Sequence, residues 1–158
     1  MGYLGQFDNL IREQDRGHAV RFTRSIVVFS DGLAVCPVAV RGAGRARSRG
    51  LLSGLVRRGG RVFDDSDQLR LAAEAAAHAT ATEFAQACPG GAAIPFAVVA
   101  RVVLSRPRQV SELAVDEHVT GSAAPVRSVY LGDLAADRVL EVLGAPLRER
   151  LHIDVADC

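Results

Sequence analysis

A chain of 158 residues is the length of one domain, and its formal net charge is only +1. With 49% hydrophobic and 23% charged residues, the composition is ordinary globular and excludes a strong electrostatic bias of the molecule as a whole. A domain of this size buries roughly 70% of its unfolded-chain surface, so it needs neither a disulfide nor a metal to fold.

Aromatic residues make up 5% of the chain and Trp is absent, so Ala, Val and Leu must fill the core. All 19 basic residues are Arg. With the heavy use of Ala, Gly and Val, this resembles the codon bias of a GC-rich bacterial genome. The three cysteines, Cys36, Cys88 and Cys158, form no CxxC pair. They predict no disulfide framework and fit a reduced cytosol; Cys36 and Cys88 read as small buried hydrophobes. Residues 1–16 carry Asp8, Glu13 and Asp15 without an apolar signal core. The longest apolar run is interrupted by Pro95 and Arg101, short of the roughly 18 residues a spanning helix requires. A soluble cytoplasmic protein is the expectation.

In chain order, Leu4, Phe7, Leu10 and Ile11 follow helical spacing and predict a short amphipathic N-terminal segment over residues 1–17, with Gly17 as its stop. Residues 19–29 and 33–40 are β-rich around Ser30-Asp31-Gly32. Asp-Gly suits a type I′ turn, so this is a β-hairpin. Pro37 places its second strand at an edge or marks a bulge.

Residues 41–61 hold seven arginines, Arg41, Arg45, Arg47, Arg49, Arg57, Arg58 and Arg61, and no acid. Six glycines within the stretch predict a flexible loop. Three readings stand: a solvated loop, an anion site in which guanidinium groups grip phosphate, or a basic insertion in which residues 51–56 contact a membrane surface or a partner. No aromatic residue is interleaved to stack nucleic-acid bases.

Val62-Phe63 adds a short strand. The acids Asp64, Asp65 and Asp67 suit a helix N-terminus, and one long helix is predicted from about Asp67 to Ala87, ended by Cys88-Pro89-Gly90-Gly91. Leu69, Ala72, Ala73, Ala76, Ala79, Thr80, Phe84 and Ala87 form its apolar face. Glu74 and His78 lie at i, i+4, which supplies two metal ligands where a site needs more; a solvated pair is the expectation, with no metal and no cofactor.

A meander follows: Ile94–Leu104, nearly continuous and apolar, then Val110–Val119 with Leu113 and Val115 inward, then Val126–Leu131. Asp133 is an N-cap for a last helix over 134–143, with Leu134, Val139, Leu140 and Leu143 buried and Gly144 and Pro146 ending it. The tail from His152 is short and polar. No GxSxG, Walker, GxGxxG or HExxH pattern occurs, and His118 and His152 have no marked nucleophile beside them.

The fold class expected is a single α+β domain with an antiparallel sheet or partly open barrel of five to seven strands, one long inserted helix and a C-terminal capping helix. Ile94-Pro95-Phe96 leading the strand to Leu104, the strands 110–119 and 126–131, and the helix from Leu134 resemble in outline the pleckstrin-homology-like fold. The resemblance implies a module that binds lipid headgroups, peptides or proteins and is not usually an enzyme. The leading functional expectation is a non-catalytic bacterial adaptor that meets a protein partner, an anionic lipid surface or a nucleic acid through its Arg-rich loop. Two alternatives stay open. One is a small-ligand-binding protein or small enzyme with a pocket between helix 67–87 and the sheet, using Glu74, His78 and His118. The other is a homo-oligomer assembled through the alanine-rich helix.

Overall fold

The computed structural model describes residues 2–13, 22–39, 65–107 and 109–155. Eight strands and three α-helices occur among them: β1 Tyr3–Arg12, β2 Phe22–Phe29, β3 Gly32–Ala39, α1 Asp65–Ala76, α2 Ala81–Ala87, β4 Ala92–Pro95, β5 Val99–Ser105, β6 Ser111–Glu117, β7 Val126–Gly132, α3 Ala136–Leu147 and β8 Leu151–Asp154. The strands form one mixed sheet in the order β4-β3-β2-β1-β7-β6-β5-β8. All neighbours are antiparallel except β5 and β8. The class is α+β as expected, with eight strands in place of five to seven.

This sheet cannot be flat. Strands β4 and β5 lie six places apart in it, about 29 Å at ordinary strand spacing. Only three residues, Phe96–Val98, separate them in the chain, a reach of about 14 Å. The sheet therefore curls until its ends approach each other. Arg150 fastens the seam, donating from Nη1 to the carbonyls of Phe96 (2.6 Å) and Val99 (2.9 Å).

Curling gives the sheet two faces with different partners. On the concave side Phe7, Leu10, Ile26, Leu33, Leu104, Leu113 and Tyr130 pack with Val139, Val142, Leu143 and Leu147 of α3. On the convex side Val27, Phe29, Ala34 and Cys36 of β2 and β3 are covered by Leu71 and Ala75 of α1 and Ala81, Phe84 and Ala85 of α2. Each face is built by the alternation of one strand, with Ile26 and Val28 on one side and Val27 and Phe29 on the other. No helix among the described residues is long and apolar enough to cross a membrane.

Several expectations are corrected. The N-terminal segment is a strand, not an amphipathic helix. Its misleading spacing comes from two register shifts, between Tyr3 and Gly5 and between Phe7 and Leu10; each bulge inserts a residue and breaks a period of two. The predicted β2–β3 hairpin is present, but Phe29 pairs with Gly32, leaving Ser30-Asp31 as the loop, and neither has a positive φ. The turn is not type I′. Gly32 serves a different need, because a Cβ there would lie 2.7 Å from the Ile94 carbonyl of β4. Pro37 sits just beyond Val35, where β4 pairing stops, which accounts for a residue that cannot donate to a ladder.

The long helix is two helices. Thr80 Oγ1 accepts from Glu83 N (3.2 Å), and Glu83 Oε2 accepts from Ala79 N (3.1 Å). The Thr80 cap, with Glu83 reaching back to the residue before it, starts a new helix. The inward side is Leu71 and Ala75, while Leu69 is 72% exposed. The run 94–104 likewise divides into β4 and β5. α3 begins two residues later than predicted, after Ala135 without a side-chain cap, and continues through Gly144 and Pro146 to Leu147. Leu140 is 56% exposed, and Val142 and Leu147 complete the buried stripe. The polar tail supplies β8, with Leu151 beside Val102.

Candidate functional site

The arginines of 41–61 proposed for anion or partner contact, Arg41, Arg45, Arg47, Arg49, Arg57, Arg58 and Arg61, lie outside the described residues, as do Val62-Phe63 and Cys158. Glu74 and His118 are exposed and His78 is half-buried. His78 meets Phe84 edge-on at 5.6 Å, a packing contact, and the structure does not bring these three together. Among the described residues no three His, Cys, Asp or Glu side chains converge as a metal site.

A polar constellation does form at the edge of the convex face. β1 and β2 pair so that residues in register share a side. Tyr3 and Gln6 therefore continue the row of Phe29 and Val27, and Asp8 joins that row beside Ser25. Ser25 Oγ donates to Asp8 Oδ1 at 2.7 Å. Gln6 Nε2 donates to both Asp8 oxygens, each at 3.1 Å, and to the Gln68 carbonyl of α1 at 3.3 Å. Tyr3 Oη donates to Gln6 Oε1 at 2.8 Å. Gln6 thus hands hydrogen bonds from a strand carboxylate to a helix.

The bulge places Asp8. Asn9 takes φ 59°, a left-handed conformation that Asn tolerates better than most residues. It holds Phe7 and Leu10 on the concave side while Asp8 stays on the other. Next to it, Gly5 lets α3 approach: a Cβ there would lie 2.9 Å from Val142 Cγ2 and 3.1 Å from Arg138 Nη2. Arg138 thus lies against β1 from the α3 side, and it lines the same cavities as Asp8.

Two adjoining cavities open on this row, of about 400 Å³ and 430 Å³. Gln6, Asp8, Gln68 and Arg138 line both; Asn9 and Asp133 extend one, Tyr3 and Leu69 the other. The combined cleft runs between α1, β1 and the start of α3. Burial, reinforced by the Asp8 carboxylate and opposed by Arg138, pushes the Tyr3 phenol above its ordinary value. Arg138 Nη1 also donates to Glu141 at 3.0 Å, with Glu141 69% exposed, a surface pair of the kind worth about 0–1 kcal/mol. The cleft therefore offers a fixed carboxylate and a guanidinium that can be recruited. Glu74, His78 and His118 do not line either cavity.

A second charged arrangement lies on the outer side of β5–β7. Arg101, Asp116 and Arg127 stand in register on adjacent strands. Arg127 grips Asp116 bidentately at 2.7 and 2.9 Å, and Arg101 reaches it at 3.5 Å. The hydrogen bonds from Arg127 hold the Asp116 carboxyl below the usual range. Both carboxylate oxygens are engaged by guanidinium groups.

Alternation places Asp116 opposite Leu113 and Val115, but it does not bring Tyr3 to the side of Gln6 and Asp8; the Tyr3–Gly5 bulge does that. No known family model matches the chain, and no curated protein matches it.

Proposed function

We propose that the chain is a non-catalytic binding module that seats a small polar ligand, carrying both hydrogen-bond donors and an anionic group, in the cleft between α1 and β1. One observation carries this reading: the fixed Asp8 carboxylate and the exchangeable Arg138 guanidinium line the same open cavity. A ligand donor completes Asp8, and its anionic group replaces Glu141 on Arg138, a charge-assisted contact stronger than a neutral hydrogen bond. Binding fits better than nucleophilic chemistry because Ser25 is fully buried and already donates to Asp8. The pleckstrin-homology-like reading is supported by the curled sheet with α3 packed into it; β8, added in parallel after that helix, departs from the outline.

The test is a titration of the isotope-labelled full chain with free amino acids and dipeptides, followed by NMR. Saturable shifts are expected around Tyr3, Gln6, Asp8 and Arg138. Asp8→Asn or Arg138→Ala weakens binding about tenfold or more, the loss of one charged hydrogen bond. Glu141→Ala, which frees Arg138, tightens it. Unmoved resonances at all four residues with every probe reject the reading.

A second reading rests on the density of seven arginines without an acid in 41–61: this segment engages a protein partner or an anionic surface. Co-sedimentation with phosphatidylserine vesicles that is unchanged in the Arg45, Arg47, Arg49, Arg57 and Arg58→Ala variant rejects the surface form of it.

A further inference from the structure

Cys36 and Cys88, remote in sequence, meet in the fold. β3 pairs with β4 as far as Val35 opposite Ala92, so the next rung sets Cys36 beside Gly91. There the chain turns back: the Gly91 N–H donates to the Cys88 carbonyl at 2.9 Å, and Gly90 takes φ 74°. The turn brings Cys88 onto the convex cluster that contains Cys36, so the two side chains pack in one place. Cys36 is 2% exposed, while Cys88 is half-buried and reachable from solvent. Both are thiols. Burial first, and the neighbouring Cys88 second, push the Cys36 thiol up; Cys88, the more exposed of the two, is the one that meets an oxidant.

We propose that Cys36 and Cys88 are a disulfide-forming pair, a reversible oxidation site whose oxidant is a peroxide. The Cys88 sulfur attacks the O–O bond of hydrogen peroxide; its proton leaves with the departing oxygen as water, and a sulfenic acid is formed. The Cys36 sulfur then displaces the sulfenic oxygen. The S–S bond forms, the S–O bond breaks, and the Cys36 proton leaves with that oxygen as water. Overall two thiols and one peroxide become one disulfide and two waters, the sulfurs losing two electrons and the peroxide gaining them. A dithiol reverses the step by exchange. Covalently, the bond closes a ring that contains residues 41–61 and all seven of their arginines.

The experiment uses the full chain with Cys158→Ser, so that no third thiol competes, treated with hydrogen peroxide. The expected product is a monomer lighter by two hydrogens, with tryptic peptides 25–41 and 71–101 joined and dithiothreitol separating them. Closing a ring of this length raises the unfolding midpoint by about 10 °C over the reduced form. The proposal is overturned if both thiols remain open to iodoacetamide, or if Cys88 gains oxygen while Cys36 stays a thiol. In Cys36→Ala, Cys88 is expected to gain oxygen instead of losing hydrogen. Should that variant fail to fold, Cys88→Ser decides: its Cys36 must survive peroxide as a free thiol, and its oxidation there rejects the pairing.

Discussion

Asp8 and Asp116 are both carboxylates on strand faces, but they are held by different chemistry. Asp8 is held by neutral donors, Ser25 and Gln6; Asp116 is held by two guanidiniums. The second arrangement makes stability depend on pH. A carboxyl whose folded pKa is depressed stabilises the fold above the unfolded value, and the contribution disappears as pH falls through the folded pKa. Asp116→Asn is therefore expected to cost about 1 kcal/mol at neutral pH, discounted because both arginines are half exposed. Urea melts of variant and wild type should converge as pH falls through the depressed folded value, where the wild-type side chain becomes neutral as well. The two tyrosines shift in the opposite direction. Burial raises both phenols, and Tyr130 feels the opposing charges of Arg12 and Arg24. A folded pKa above the unfolded one favours the neutral phenol, so this contribution is present at neutral pH and lost as pH rises through the folded value. Ultraviolet titration of the native protein should show no phenolate step at the ordinary value of about 10, and adding denaturant should restore it.

At the scale of elements, much of the chain was legible. The β2–β3 hairpin, β6 with Leu113 and Val115 inward, β7 and the last helix all follow from alternation, turn residues and helical periodicity. The failures have separate physical causes. β1 carries a helical signature because its two bulges make apolar residues recur at helical intervals. The α1–α2 break was signalled by Thr80 and Glu83, a Thr-x-x-Glu capping pattern hidden within an alanine-rich stretch that favours helix throughout. Thr80→Ala tests that cap: about 1 kcal/mol lower stability is expected, read by chemical denaturation, with Thr80→Ser recovering most of it. The cleft was not legible, because it depends on where α1 and α3 settle against β1. The Cys36–Cys88 contact depends on a β3–β4 register that no local pattern encodes.

Across the whole molecule, the chain crosses its own sheet. Three residues carry it from β4, at one end, to β5, next to the other, and Arg150 fastens that crossing just before β8. The final strand is thus a cover as well as a rung. Deleting residues 151–155 would leave the ladder groups of β5 from Val102 to Ser105 bare, with Val102 and Leu104 beside them. Such an uncovered margin templates pairing between molecules, so the shortened chain is expected to self-associate in size-exclusion chromatography while keeping a β-rich circular-dichroism spectrum. A linker fused after residue 155 leaves the cover in place, whereas a break introduced at Arg150 would open the protein to strand exchange with its neighbours.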